Sequence, residues 1–154
     1  MKQPFVTVEC EVKRPGFSIP ALSRATAQLL RLLRHNNAGI LLLLVSDRRI
    51  RSLNRRFLGH DWPTDVIALS QMAGPQPKYD SKTLRYFGDL IISVETARRQ
   101  AAEYGHGLFY EVCFYMAHGI LHMLGYEDRT KKQRERMWKR QARLLKQIGV
   151  SKTK

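Results

Sequence analysis

The sequence predicts an α+β fold: a small four-stranded mixed sheet packed with about five helices, forming a single domain over residues 1–154. Three observations carry that expectation. Short apolar or alternating segments, of strand character, interleave with longer segments of helical period. The 154 residues are 44% hydrophobic, enough to bury one sizeable core. No apolar run approaches the ~20 residues that cross a bilayer.

The elements follow in order. Residues 5–12 alternate, with Val6, Val8, Cys10 and Val12 on one face and Thr7, Glu9 and Glu11 on the other, the pattern of a half-buried strand. Ser18 precedes a helix with Pro20 in its first turn; Leu22, Leu29, Leu30 and Leu33 form its apolar face. The continuous apolar run 40–46 suits the interior of a sheet. Asp47 is expected to cap a short basic helix whose Ile50, Leu53 and Phe57 face inward. Residues 59–65 form a loop and 66–70 a third strand. Residues 71–85 read as a long loop holding Gly74, Pro75 and Pro77, of a length associated with function. A fourth strand covers 88–93. Ser93 then caps a helix ending near Gly105, and residues 108–124 form the next, closed by Gly125. Thr130 and Gln133 form a capping box that opens a last, basic helix. Met137, Trp138, Leu144, Leu145 and Ile148 are expected to anchor it.

Charge narrows the function classes. There are 27 Lys+Arg against 13 Asp+Glu, a formal net charge of +14. From Arg129 onward, eleven basic residues face one acid, Glu135. A second cluster is Arg48, Arg49, Arg51, Arg55 and Arg56. Basic side chains gain by displacing counterions from phosphates, so a nucleic acid is the expected partner. No basic segment carries a clean lipid-facing stripe, which argues against a membrane. The first residues lack a secretory signal's apolar stretch, so a cytoplasmic location is expected. Cys10 and Cys113 fit no metal or redox spacing and are expected as buried thiols.

The chemistry concentrates in residues 118–128, HGILHMLGYED. Side chains four apart on a helix share a face, so His118 and His122 can direct two imidazole nitrogens to one point. Gly125 permits a left-handed turn that returns Asp128 toward them. Two nitrogens and a carboxylate oxygen make a three-ligand site with one open position. Zinc is the expected ion, with other divalent transition metals possible on this donor set. Water in the open position would be acidified into a nucleophile.

His118-Gly-x-Leu-His122-x-x-Gly125-Tyr126 resembles the signature of the YbeY family of bacterial rRNA-maturation endoribonucleases. Leu53-Asn54, Gly59, Asp61, residues 63–66, residues 88–93 and Glu111 agree with it in order. The resemblance implies one zinc ion per chain and a zincin-like fold. It also implies single-strand-specific cleavage in small-subunit rRNA 3′-end maturation and ribosome quality control, with no DNA substrate. Two positions depart. Asp128 stands where the family's third ligand is usually histidine, and Leu58 where it usually has an arginine. Likeness also puts His60 and Asp65 near the site, as candidates for proton transfer. Arg48, Arg49, Arg55 and Arg56, with Arg136, Lys139, Arg140 and Arg143 of the last helix, are the candidate RNA contacts.

Two rivals remain at this level. A metalloprotease needs His-Glu-x-x-His, and Gly119 occupies the glutamate's place. A non-catalytic ribosome-assembly factor with a structural metal would use the same basic surface.

Overall fold

The computed structural model describes residues 3–71 and 84–153. The chain runs β1 (Phe5–Cys10), α1 (Ile19–Leu32), β2 (Ala38–Val45), α2 (Asp47–Leu58), β3 (Val66–Ser70), β4 (Arg85–Ser93), α3 (Val94–Tyr104), α4 (Leu108–Met123) and α5 (Lys131–Gln147). The sheet order is β1-β2-β4-β3. β2 pairs in parallel with both β1 and β4, and β3 runs antiparallel on the far edge of β4. The uninterrupted apolar run of β2 is explained by this central place: both its faces are covered.

Alternation along the strands gives the sheet two apolar faces. On one, Ile40, Leu42 and Leu44 of β2 and Leu90 and Ile92 of β4 meet α1, α4 and α5 in the main core. On the other, Val45, Ile67 and Ile91 meet Ile50 and Leu53 of α2 in a smaller cluster. The helix carrying the two histidines and the helix carrying the arginine cluster therefore lie on opposite faces of the sheet.

α4 is buried along most of its length and lies close on β4. A Cβ at Gly119 would stand 2.3 Å from Leu90 Cδ2, so glycine here serves tight helix–sheet packing.

Several expectations are corrected. Ser46, not Asp47, caps α2: its side chain accepts from Arg49 N. Asp47 instead accepts hydrogen bonds from Ser93 Oγ and Thr96 Oγ1, both at 2.6 Å, and pairs with Arg99, tying α2 to α3. Phe57 is exposed: it sits in the last turn of α2, beyond the smaller cluster that Ile50 and Leu53 enter. β1 stops at Cys10, which is exposed, while Cys113 is buried. β4 starts earlier than expected, at Arg85. Trp138 is exposed rather than an anchor; Gln141 takes its place in the buried stripe of α5. Of the long loop expected over 71–85, residues 72–83 lie outside the described residues. Among the described residues no helix is long and apolar enough to cross a membrane.

Candidate metal centre

His118 and His122 stand one turn apart near the C-terminal end of α4. Leu124 ends that helix and Gly125, at φ +99, reverses the chain. Tyr126 N–H donates to Leu121 O and Gly125 N–H to His122 O, both at 3.0 Å. This pair of bonds is a Schellman turn. It returns Asp128 to the imidazoles: Oδ2 lies 3.2 Å from His122 Nε2 and 3.4 Å from His118 Nε2. The two Nε2 atoms are 3.0 Å apart. Among the described residues His118, His122 and Asp128 form the one group of ligating side chains close enough for a metal ion.

The outer nitrogens settle the tautomers. His118 Nδ1–H donates to Gln141 Oε1, 3.0 Å away. Gln141 is fully buried, and its amide nitrogen donates to Phe114 O at 3.1 Å, so its oxygen must face the histidine. His122 Nδ1–H donates to Tyr126 O at 3.0 Å. In the neutral rings both Nε2 atoms then present lone pairs to the same point, beside a carboxylate oxygen. Such a set of donors repels itself unless a cation or proton lies between them. Bonds of ~2.0–2.1 Å to a tetrahedral ion put ligand atoms roughly 3.3 Å apart. The observed 3.0 to 3.4 Å brackets that spacing, so these residues fit a metal. Outer-shell bonds of this kind orient and strengthen histidine ligands.

A cleft of about 460 Å³ opens beside His118. Asp65, Glu111, Tyr110, Phe114, Trp138 and Lys139 line it, and Lys152 closes one side. Asp65 sits where the chain enters β3; its Oδ1 accepts from Val66 N at 2.7 Å. Glu111 is buried, and burial, then the nearby Asp65 charge, pushes its carboxyl up to about 7. His106 Nε2 lies 3.3 Å from Glu111 Oε2. Burial, with Lys152 adding to it, lowers the His106 pKa and favours the neutral ring.

The expected site residues separate into groups. Asp65 and Lys139 line the cleft with His118. His60 does not; it stacks on Trp62, ring centroids 4.6 Å apart. Arg48, Arg49, Arg55 and Arg56 project from α2 on the sheet's other face, exposed, with Arg49 paired to Glu11 at 3.3 Å. On α5, Arg136 lines a groove beside Tyr126, and Arg143 lines another with Lys152. Arg140 is half-buried. Sequence reasoning missed Gln141, Lys152 and the cleft role of Trp138. Gln141 had a signal: a polar residue within the apolar stripe of Met137, Leu144 and Leu145.

The model of the Endoribonuclease YbeY family matches residues 10–149. Proteins named Endoribonuclease YbeY are similar over most of their length. The one from Moorella thermoacetica is 37% identical over 154 residues, 93% of this chain and 99% of that protein. The one from Desulforamulus reducens is 38% identical over 116 residues, 75% of this chain and 76% of that protein. In the solution structure of TM1509 from Thermotoga maritima the same fold recurs at a TM-score of 0.61 and 20% identity, covering 94% of this chain and 88% of that one. The family model spans α4 with its histidine pair and the glycine turn that follows, and the chain belongs to the Endoribonuclease YbeY family.

Proposed function

We propose that the chain is an endoribonuclease. It holds one zinc ion, or another divalent transition metal, on His118, His122 and Asp128, and it acts in the cytoplasm on single-stranded RNA, in 3′-end maturation of small-subunit rRNA. Residues 1–154 act as one hydrolase domain. The supporting observation is the convergence of two imidazole nitrogens and a carboxylate oxygen beside a cleft that two lysines line.

When bound, the ion supplies Lewis acidity to the scissile phosphodiester. The protein's own groups do the rest. Gln141 and the Tyr126 carbonyl hold the rings in register. Lys139 and Lys152 draw phosphates into the cleft and offset charge that develops there. Asp65, half-buried in the cleft beside His118, is the residue placed to accept a proton. The basic faces of α2 and α5 extend the RNA track.

An assembly factor with a structural metal needs a fourth protein ligand, and among the described residues none joins the three. That favours the enzyme. Metal analysis, with cleavage assays on wild type and His122→Ala, tests the reading. Metal-dependent cleavage lost in the variant is expected. Equal cleavage by both would reject it, and RNA binding without cleavage by either would favour the assembly factor.

A further inference from the structure

Among the described residues Glu111 is the only buried carboxylate, with 3% of its surface exposed. Its Oε2 has no hydrogen-bond partner; His106 Nε2, 3.3 Å away, lies outside bonding geometry. A buried acceptor without a donor is costly; the first turn of α4 favours an acid, but that leaves the hydrogen-bonding capacity of Oε2 unfilled. Yet Glu111 lines the cleft, and Asp65, a second acceptor, lines it too. The cleft is thus rich in acceptors at depth and aromatic at its walls. Trp138 is 55% and Tyr104 61% exposed, leaving ring faces open to a guest. Lys139 and Lys152 stand at the same cleft.

Flat aromatic walls, deep acceptors and nearby cations suit a nucleotide whose base stacks while its phosphate meets lysine. The acceptors select the base. Guanine presents two adjacent donors, N1–H and N2–H₂, that match the two oxygens of one carboxylate. Adenine and cytosine set a lone pair beside their amino group, and uracil flanks its one N–H with two carbonyl oxygens; both patterns repel a carboxylate. Glu111 lies seven residues before His118 on the same helix face, about 10 Å along the axis. That is the reach of one nucleotide from phosphate to base edge.

We infer that the cleft beside His118 is a guanine subsite, read by Glu111 and walled by Trp138, which seats the nucleotide adjoining the phosphodiester at the metal cluster. The inference deepens the proposed function and rests on RNA being the ligand, not on cleavage occurring. It makes Glu111 a specificity-determining residue.

Binding of mononucleotides to the full chain at pH 8, where Glu111 has lost its proton, tests it. Wild type should bind GMP about tenfold or more tightly than AMP, and than IMP, which lacks the 2-amino group. Glu111→Gln should bind GMP no better than AMP, because its amide offers a donor where a carboxylate oxygen stood. The substitution removes a buried charge, so the fold tolerates it. Trp138→Ala, at an exposed position, should weaken all three nucleotides alike. Equal affinity of wild type for GMP, IMP and AMP would overturn the inference, as would discrimination that survives in Glu111→Gln or nucleotide binding untouched in Trp138→Ala. Cleavage assays separate the two readings. Guanine selectivity in a chain that never cuts RNA would sink the nuclease and keep the subsite. Cutting with no guanine bias next to the cut would do the reverse.

Discussion

His118 Nδ1 and Gln141 Oε1 lie 3.0 Å apart across the contact of α4 with α5. Because Gln141 is itself held by the Phe114 carbonyl, the bond fixes which imidazole nitrogen carries the proton. Removing that acceptor frees the ring to take the wrong tautomer. Gln141→Leu should therefore keep the fold and lose about tenfold to a hundredfold in metal affinity, read by competition with a chelator.

Glu111 predicts a dependence of stability on pH. Its pKa rises from 4.5 to about 7 on folding. Between those values the folded chain holds a proton that the unfolded chain has lost. The stabilisation is full below pH 4.5, falls as pH rises, and is gone above 7. Glu111→Gln cannot lose that proton. Denaturant unfolding should give equal stabilities for variant and wild type at pH 4, and an advantage of about 1–3 kcal/mol for the variant at pH 8.

Gly119→Ala should destabilise by about 1–3 kcal/mol, although alanine favours a helix by ~1 kcal/mol. The added Cβ collides with Leu90, a fully buried side chain in a packed sheet face. Combining it with Leu90→Val should cost less than the sum of the single substitutions, since the two side chains compete for one space.

The cations are predicted to act unequally. Lys139→Gln with Lys152→Gln should slow cleavage and flatten the salt dependence of RNA binding by about two phosphate contacts. Arg48→Gln with Arg55→Gln, on the other face of the sheet, should weaken binding and leave the cleavage rate of saturated enzyme nearly intact.

The two proton-transfer candidates divide in the same way. Asp65→Asn should lower the cleavage rate about a hundredfold or more. His60→Ala, which removes a ring stacked on Trp62 away from the cleft, should cleave at the wild-type rate.

Much of this was legible in the chain itself. The i, i+4 histidines, the glycine turn and the returning acid are local features, and local spacing sets their geometry. The elements were readable for the same reason, from β2's apolar run to the capping box at Thr130. What sequence reading missed depends on contacts between distant segments. Gln141 reaches His118 only because α5 packs on α4. Trp138 stays exposed because it lines the cleft instead of entering the core. Ser46 takes the cap of α2 because Asp47 is drawn to Ser93 and Thr96, nearly fifty residues away. The arginines of α2 looked well placed in sequence, yet strand alternation sends that helix to the other side of the sheet.

Anomalous scattering from crystals grown with zinc tests the central claim most directly. The account predicts one strong site about 2.0–2.2 Å from His118 Nε2, His122 Nε2 and a carboxylate oxygen of Asp128. No site there, or an ion bound with Asp128 turned away, would contradict it.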